Sequence, residues 1–271
     1  MSTSINYPSL HSPTSRPNAS LRRRSLAIIG AGAFGEFCIP HLREFFHVRI
    51  CDERRDLEAL CDRWNVEAVD IVTAARQDIV LLAVPLRSLR PLARLLAPHL
   101  RPGTLVIDVC SVKVEPLAIL GDELPDTVHL IGTHPLFGPQ SGRNGIAGLR
   151  IALCAGADVK GRLVARFLRR RLGLDVIATT PDDHDRQMAY VQGLTHLLGR
   201  VTAAMDLPGG KLTTVSFEHL RSMTDMVRHD TDELFRTIVL DNPYGRGVMG
   251  AFVDAAKDVL KPVRLSSDRT L

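Results

Sequence analysis

The chain lacks the features of a membrane protein, a nucleic-acid binder or a disulfide scaffold. No apolar run approaches the roughly 20 residues that a membrane-spanning helix needs. The net charge is +4 at pH 7, but the positive side chains never gather into a long block of like charge. A nucleic-acid or membrane-surface partner therefore has no support. The five cysteines, Cys38, Cys51, Cys61, Cys110 and Cys154, are odd in number and form no CxxC pair. That argues against a disulfide framework or a cysteine metal site, and for reduced thiols in the cytoplasm; no metal is expected. Residues 1–24 contain no acid and are rich in Ser, Pro and Arg. They read as a disordered arm, with a plastid-type transit peptide as the alternative.

What is present is a globular chain. Its 271 residues, 45% hydrophobic and 24% charged, suffice for one large domain or two ordinary ones. Apolar strands are predicted at 25–30, 48–52, 78–85, 103–109, 128–134, 150–156 and 174–180, with helix-like segments such as 86–100 and 160–172 between them. Such alternation implies an α/β fold with a mostly parallel, doubly wound sheet. Pro40 falls inside the first predicted helix, where it either kinks it or is tolerated. After Pro181 the strand signal stops. "PDDHDRQMAYVQGLTHLLGRVTAAMDL" opens with proline and acids, a helix N-terminus, and runs on to "PGG" at 208–210. The expected division is an arm (1–24), a Rossmann-like dinucleotide-binding domain (25–180) and an all-α domain (181–271). The helical part is too small to hide both faces of a long apolar helix, which predicts pairing of two copies through 181–260.

"GAGAFG" places Gly30, Gly32 and Gly35 in the GxGxxG pattern, with Ala31, Ala33 and Phe34 between them. The motif follows a predicted strand and opens a helix, the context in which it cradles a pyrophosphate. Asp52 ends the second predicted strand, where a carboxylate would accept hydrogen bonds from the adenosine ribose. This favours NAD over NADP, although Arg54 and Arg55 follow at once. Val84 and Pro85 end a later strand and face the same crevice.

Two further strand ends carry polar side chains. "DVCSVK" supplies Ser111 and Lys113, and "LIGTHPLFGPQSGRNG" supplies Thr133, His134, Gln140 and Ser141. With a dinucleotide predicted alongside, His134 is the candidate base, because its ring titrates near neutrality. Ser111 is placed to hold the same substrate hydroxyl. Lys113 is either catalytic or a solvated or pyrophosphate-facing cation. His184, at the start of the long helix, either serves the site, is solvated at the helix N-terminus or makes an interdomain contact.

"DVCSVK", "GTHPLFGPQSG" and "DDHDRQMAYVQGLTHLLGR" together resemble the prephenate/arogenate dehydrogenases of tyrosine biosynthesis, over about Ser25 to Ile238. The resemblance implies a homodimeric enzyme that oxidatively decarboxylates a small cyclohexadienyl acid. His134 would take the proton of the ring hydroxyl while hydride passes to NAD, and Ser111 would orient the hydroxyl. Gln192 and His196, four apart on one helix, match positions that bind the substrate carboxylates, with Arg228, or Arg221 in reserve, completing the clamp. Gln140 stands where many relatives carry Asp or Glu, and a neutral side chain there favours prephenate. Arogenate and 4-amino-4-deoxyprephenate are the alternative substrates, and a non-catalytic NAD-binding regulator is the remote one.

Overall fold

The computed structural model describes residues 23–53, 57–155, 159–207, 209–228 and 230–261. The proposed arm, apart from its last two residues, and Arg54 and Arg55 lie outside that set. Eight strands form one sheet: β1 (Ser25–Ile29), β2 (His47–Cys51), β3 (Glu67–Ala68), β4 (Ile79–Leu82), β5 (Leu105–Asp108), β6 (His129–Pro135), β7 (Arg150–Cys154) and β8 (Asp175–Ala178). Their order is β3-β2-β1-β4-β5-β6-β7-β8. Every pairing is parallel except β6 with β7. That exception has a simple cause: no helix lies between β6 and β7, so the chain turns back directly instead of crossing over the sheet.

The apolar runs are continuous rather than alternating because both sheet faces are covered. Leu26, Ile28, Ile79, Leu81 and Leu105 point to one face, where Ile39 of α1 (Ala33–Leu42), Leu60 of α2 (Leu57–Trp64) and Leu168 of α6 (Val159–Arg170) cover them. Ala27, Ile29, Val80, Leu82 and Val106 point to the other, under α3 (Ile71–Ala75), α4 (Leu86–Leu96) and α5 (Val114–Glu123). Each such aliphatic side chain contributes about 1.5–3 kcal/mol on burial. Pro40 does not stop α1, which continues to Leu42. β4 ends at Leu82, three residues before the predicted end, because Val84 and Pro85 already form the turn that caps α4. β3 was not foreseen; it is two exposed residues at the sheet edge.

After β8 the described residues contain helices only, and none is long and apolar enough to cross a membrane. α7 (Pro181–Met188) starts as the sequence demands. Thr180 caps it, accepting from Asp183 N at 3.1 Å, and Pro181 occupies its first turn. The helix then widens into a π segment, Ala189–Leu194, and resumes as α8 (Thr195–Ala204). It stops before the predicted "PGG". Threonines cap the next two helices, Thr214 for α9 (Val215–Val227) and Thr231 for α10 (Asp232–Val239). α11 (Gly245–Val259) follows.

α10 and α11 meet so closely that a Cβ on Gly245 would stand 2.1 Å from the Val239 carbonyl oxygen. A backbone oxygen cannot swing aside as a side chain does. Gly245→Ala is expected to cost about 1–3 kcal/mol through overpacking. The urea midpoint should fall at unchanged denaturant slope; an unchanged midpoint would show that the two helices are not held this tightly.

Candidate active site

The glycine loop lies where β1 meets β4, the point at which the strand order reverses. Gly30 has φ +97°, a conformation suited to glycine, and a Cβ there would stand 2.4 Å from the Ala83 carbonyl oxygen. A Cβ on Gly35 would stand 1.9 Å from the Gly30 oxygen, so α1 can pack this close only on glycine. Gly32 differs, for no atom lies within 4 Å of its Cβ position. It caps α1 with no side-chain hydrogen bond, leaving an open approach to the first N–H groups. These features fit a pyrophosphate. Ala31 is buried, and its N–H donates to Asp52, so the carboxylate at the end of β2 also holds the loop. Val84 is half-buried against Gly30, and Ala33, Phe34 and Pro85 are not fully buried.

Further along the sheet, β5 and β6 end in a buried ionic knot. The Lys113 ammonium donates to Asp108 and, at 2.7 Å, to the Thr133 carbonyl. Both Lys113 and Asp108 are fully buried. The Thr133 hydroxyl donates to the Asp108 carbonyl at 2.9 Å. Lys113 is thus neither solvated nor turned toward a pyrophosphate. It neutralises a carboxylate under the site and welds the two strand ends together.

His134 pairs with Ala152 across β6 and β7 and projects past the Asp108–Gly132 register pair, beyond the end of β5. It is 3% exposed. Its Nδ1 lies 2.9 Å from Nε2 of His184, and His184 Nδ1 lies 2.7 Å from Oδ1 of Asp185. The two rings meet edge-on, 5.1 Å between centroids. Asp185 also accepts from the backbone N–H groups of Lys113 at 2.7 Å and Val114 at 2.9 Å, the first turn of α5. Its own carbonyl accepts from the buried Asn242 amide at 2.8 Å. His184 is thus buried rather than solvated, and its interdomain contact is the candidate base itself. Burial holds the His134 pKa well below the usual histidine value, and His184 and Lys113 push the same way. The His134 side chain makes no other hydrogen bond among the described residues, which leaves Nε2 open.

The remaining candidates sit apart from this chain of bonds. Ser111 lies half-buried in the loop ending at Lys113, which is tied to the β6 backbone next to His134. Gln140 is exposed in the turn after β6. Gln192 falls in the π segment, and its Oε1 is buried without a partner among the described residues. His196 Nδ1 lies 3.2 Å from Asp230. Burial lowers the His196 pKa, with Arg200 pushing the same way and Asp230 opposing. Arg228 ends α9, half-exposed and 3.2 Å from Asp225, and Arg221 is 3.7 Å from Glu218. Neither arginine touches the histidine chain among the described residues. In the sequence Asp185 belongs to the stretch that carries the family resemblance, but it was given no role of its own. Its signal was the buried, apolar Met188 four residues after His184, which marks the inward face of α7.

A sheet with an open glycine loop at its reversal point, joined to a helical region that covers a buried histidine, defines a dinucleotide-binding protein of the Rossmann class. Residues 51–157 match the family model "Prephenate dehydrogenase, nucleotide-binding domain". Two relatives from Arabidopsis thaliana are similar. Arogenate dehydrogenase 2, chloroplastic, is 28% identical over 80% of this chain and 64% of its own length; arogenate dehydrogenase 1, chloroplastic, is 31% identical over 85% and 38%. The chain therefore spans between about two fifths and just under two thirds of these relatives. In fold it resembles the prephenate dehydrogenase from A. aeolicus in complex with hydroxyphenyl propionate and NAD+, with TM-score 0.71 and 19% identity, covering 88% of this chain and 90% of that one. Residues 51–157 thus resemble the nucleotide-binding domain of prephenate dehydrogenases, and the chain is similar to arogenate dehydrogenases over most of its own length.

The buried knot yields a test. Lys113→Met leaves the Asp108 carboxylate buried without its counter-charge, a loss of about 3–5 kcal/mol. Pairing it with Asp108→Asn should restore part of that loss in urea unfolding. A single variant as stable as the parent would show the pair to be idle.

Proposed function

We propose that this protein catalyses the NAD-dependent oxidative decarboxylation of prephenate to 4-hydroxyphenylpyruvate. The observation that carries the reading is a buried histidine, Nδ1 already bonded and Nε2 free, at a strand end of the same sheet as an open glycine loop. Bound nicotinamide supplies the hydride acceptor. Gly30 to Gly35 hold the pyrophosphate on the N-terminus of α1, Asp52 accepts from the adenosine ribose, and Val84 and Pro85 line the crevice. His134 Nε2 accepts the ring hydroxyl proton as that carbon becomes a carbonyl, and Ser111 orients the hydroxyl. Loss of the ring carboxylate as CO2 then makes the ring aromatic. His134 suits the task because its depressed pKa keeps it neutral, and so able to accept a proton, at neutral pH.

The substrate carboxylates fall to the helical residues Gln192, His196 and Arg228. The unpartnered Gln192 Oε1 supports a polar group arriving there, since a buried acceptor without a donor is costly. Neutral Gln140 favours prephenate over arogenate, whose ammonium an acid would pair with. The names of the Arabidopsis relatives favour the second reading, the same chemistry on arogenate to give tyrosine. We further assign residues 25–180 to cofactor binding and 181–271 to substrate binding and homodimer formation. Exposed apolar side chains on the helical region, among them Tyr190, Val191, Val201, Met205 and Met226, support that pairing. Five free cysteines support a reducing, cytoplasmic setting.

The test is the NADH absorbance on mixing the protein with NAD and each acid in turn. Turnover of prephenate exceeding that of arogenate is expected, and turnover of neither overturns the reading. His134→Asn should lose at least about 10²-fold in kcat while still binding NAD; unchanged turnover removes His134 as the base. On sizing at micromolar concentration the protein should elute as a dimer, and a monomer peak rejects the pairing.

A further inference from the structure

His184 and Asp185 reach the site from α7, and the chemistry proposed above leaves them without a role. We propose that they form a positioning relay, which fixes the tautomer of His134 and takes up the proton that His134 receives. The relay rests on His134 being the base of the reaction.

The order of bonds permits one assignment. Ionised Asp185 only accepts hydrogen bonds. The N–H groups of Lys113 and Val114 hold both of its oxygens, so the carboxylate cannot turn away. The proton of His184 therefore sits on Nδ1, facing Asp185, and its Nε2 carries the lone pair. That lone pair accepts from Nδ1–H of His134, which leaves the His134 lone pair on Nε2, where the substrate hydroxyl arrives. The opposite order would set a lone pair of His184 against the carboxylate.

The same bonds carry charge. The substrate O–H bond breaks and its proton joins His134 Nε2. The Nδ1 proton of His134 passes to His184 Nε2, and the Nδ1–H electrons stay on His134. His134 is neutral again, and the cation rests on His184 against Asp185. The nearest fixed cation favours that outcome. Lys113, from the β5–α5 loop, opposes a cation on His134, and its partner Asp108 lies beneath it. The Cys154 thiol on β7 is pushed up to about 11, chiefly by burial, and stays uncharged, as does Cys110. The relay also spans the two parts of the molecule. The base is on β6, its partners are on α7, and Asp185 seats α7 on α5, so docking and tautomer are set together.

His184→Gln separates relay from scaffold. A carboxamide spans the two bonds much as the ring does, donating to Asp185 and accepting from His134, but it cannot take a proton. In the parent protein the acid limb of kcat/KM belongs to the coupled histidine pair. With the bonds in this order, a proton placed on His184 Nε2 would flip the His134 tautomer and disable the base. In His184→Gln only His134 titrates, held down by burial and Lys113, so the limb should move to lower pH while turnover falls but persists. His184→Leu, which loses the tautomer lock as well, should fall further, roughly 10²-fold or more in kcat. An unmoved acid limb in His184→Gln, or equal activity in the two variants, overturns the relay. Histidine 15N spectra of the unmodified protein give a second readout that needs no variant. Both rings should carry the Nδ1–H tautomer at neutral pH, and an Nε2–H signal from His134 overturns the relay. No turnover by the parent protein overturns the underlying reading and the relay with it; an active parent whose acid limb is unmoved in His184→Gln overturns the relay alone.

Discussion

The carboxylate of Asp185 is the point on which the two halves of this molecule turn. It is fully buried, and a buried charge without partners would cost several kcal/mol. Asp185 has three donors: two N–H groups at the start of α5 and Nδ1 of His184. The N-terminus of α5 has unsatisfied N–H groups and a positive dipole end, so the helix needs an acceptor as much as the carboxylate needs donors. The match makes docking of α7 on the sheet specific in register. A shift by one residue would bring His184 or Arg186 to those N–H groups, and neither offers a carboxylate there. The same contact presents His184 to His134, so correct docking and a correctly oriented base are one event.

The cofactor side obeys the opposite logic. The Asp185 carboxylate finds its donors within the protein, whereas at Gly32 the first N–H groups of α1 have no side-chain cap and nothing crowds the Cβ position. Gly30 and Gly35 are glycines because backbone oxygens crowd their Cβ positions; Gly32 is a glycine where nothing crowds it. Three residues of one motif thus do two kinds of work, close packing on either side and room for a ligand in the middle. The Ala31 N–H is turned back to Asp52, which stiffens the loop before anything binds.

Much of this was legible in the sequence, and the parts that were not share a cause. Continuous apolar runs such as Ile79–Leu82 announced buried strands, and the strand–glycine–helix order around Gly30 announced the nucleotide loop, because both signals are local. β3 escaped because two exposed residues, one a glutamate, carry no hydrophobic period. His134 could be singled out because a strand end in this fold faces the crevice. Solvent stayed among the readings of both Lys113 and His184 because burial of a charged or polar side chain is set by partners far away in the chain. Lys113 owes its burial to Asp108 and to Thr133 on the neighbouring strand, and His184 to His134, fifty residues earlier. Helical periodicity also gave no hint of the π segment, since the composition of Ala189–Leu194 suits an α-helix equally well.

That segment has a geometric consequence for the site. In an uninterrupted α-helix each residue advances by about 100°, so Gln192, eight residues after His184, would lie about 80° around the axis from it. A turn closed by i→i+5 bonds advances each residue by less, which swings Gln192 back toward the face that carries His184. The small Gly193 sits where the Ile238 carbonyl oxygen passes 3.7 Å from its Cβ position, so the widened turn is also packed against α10. The long helix therefore works as two aligned pieces. Its first turns carry the partners of His134, and its widened turn carries a buried amide oxygen with no partner among the described residues.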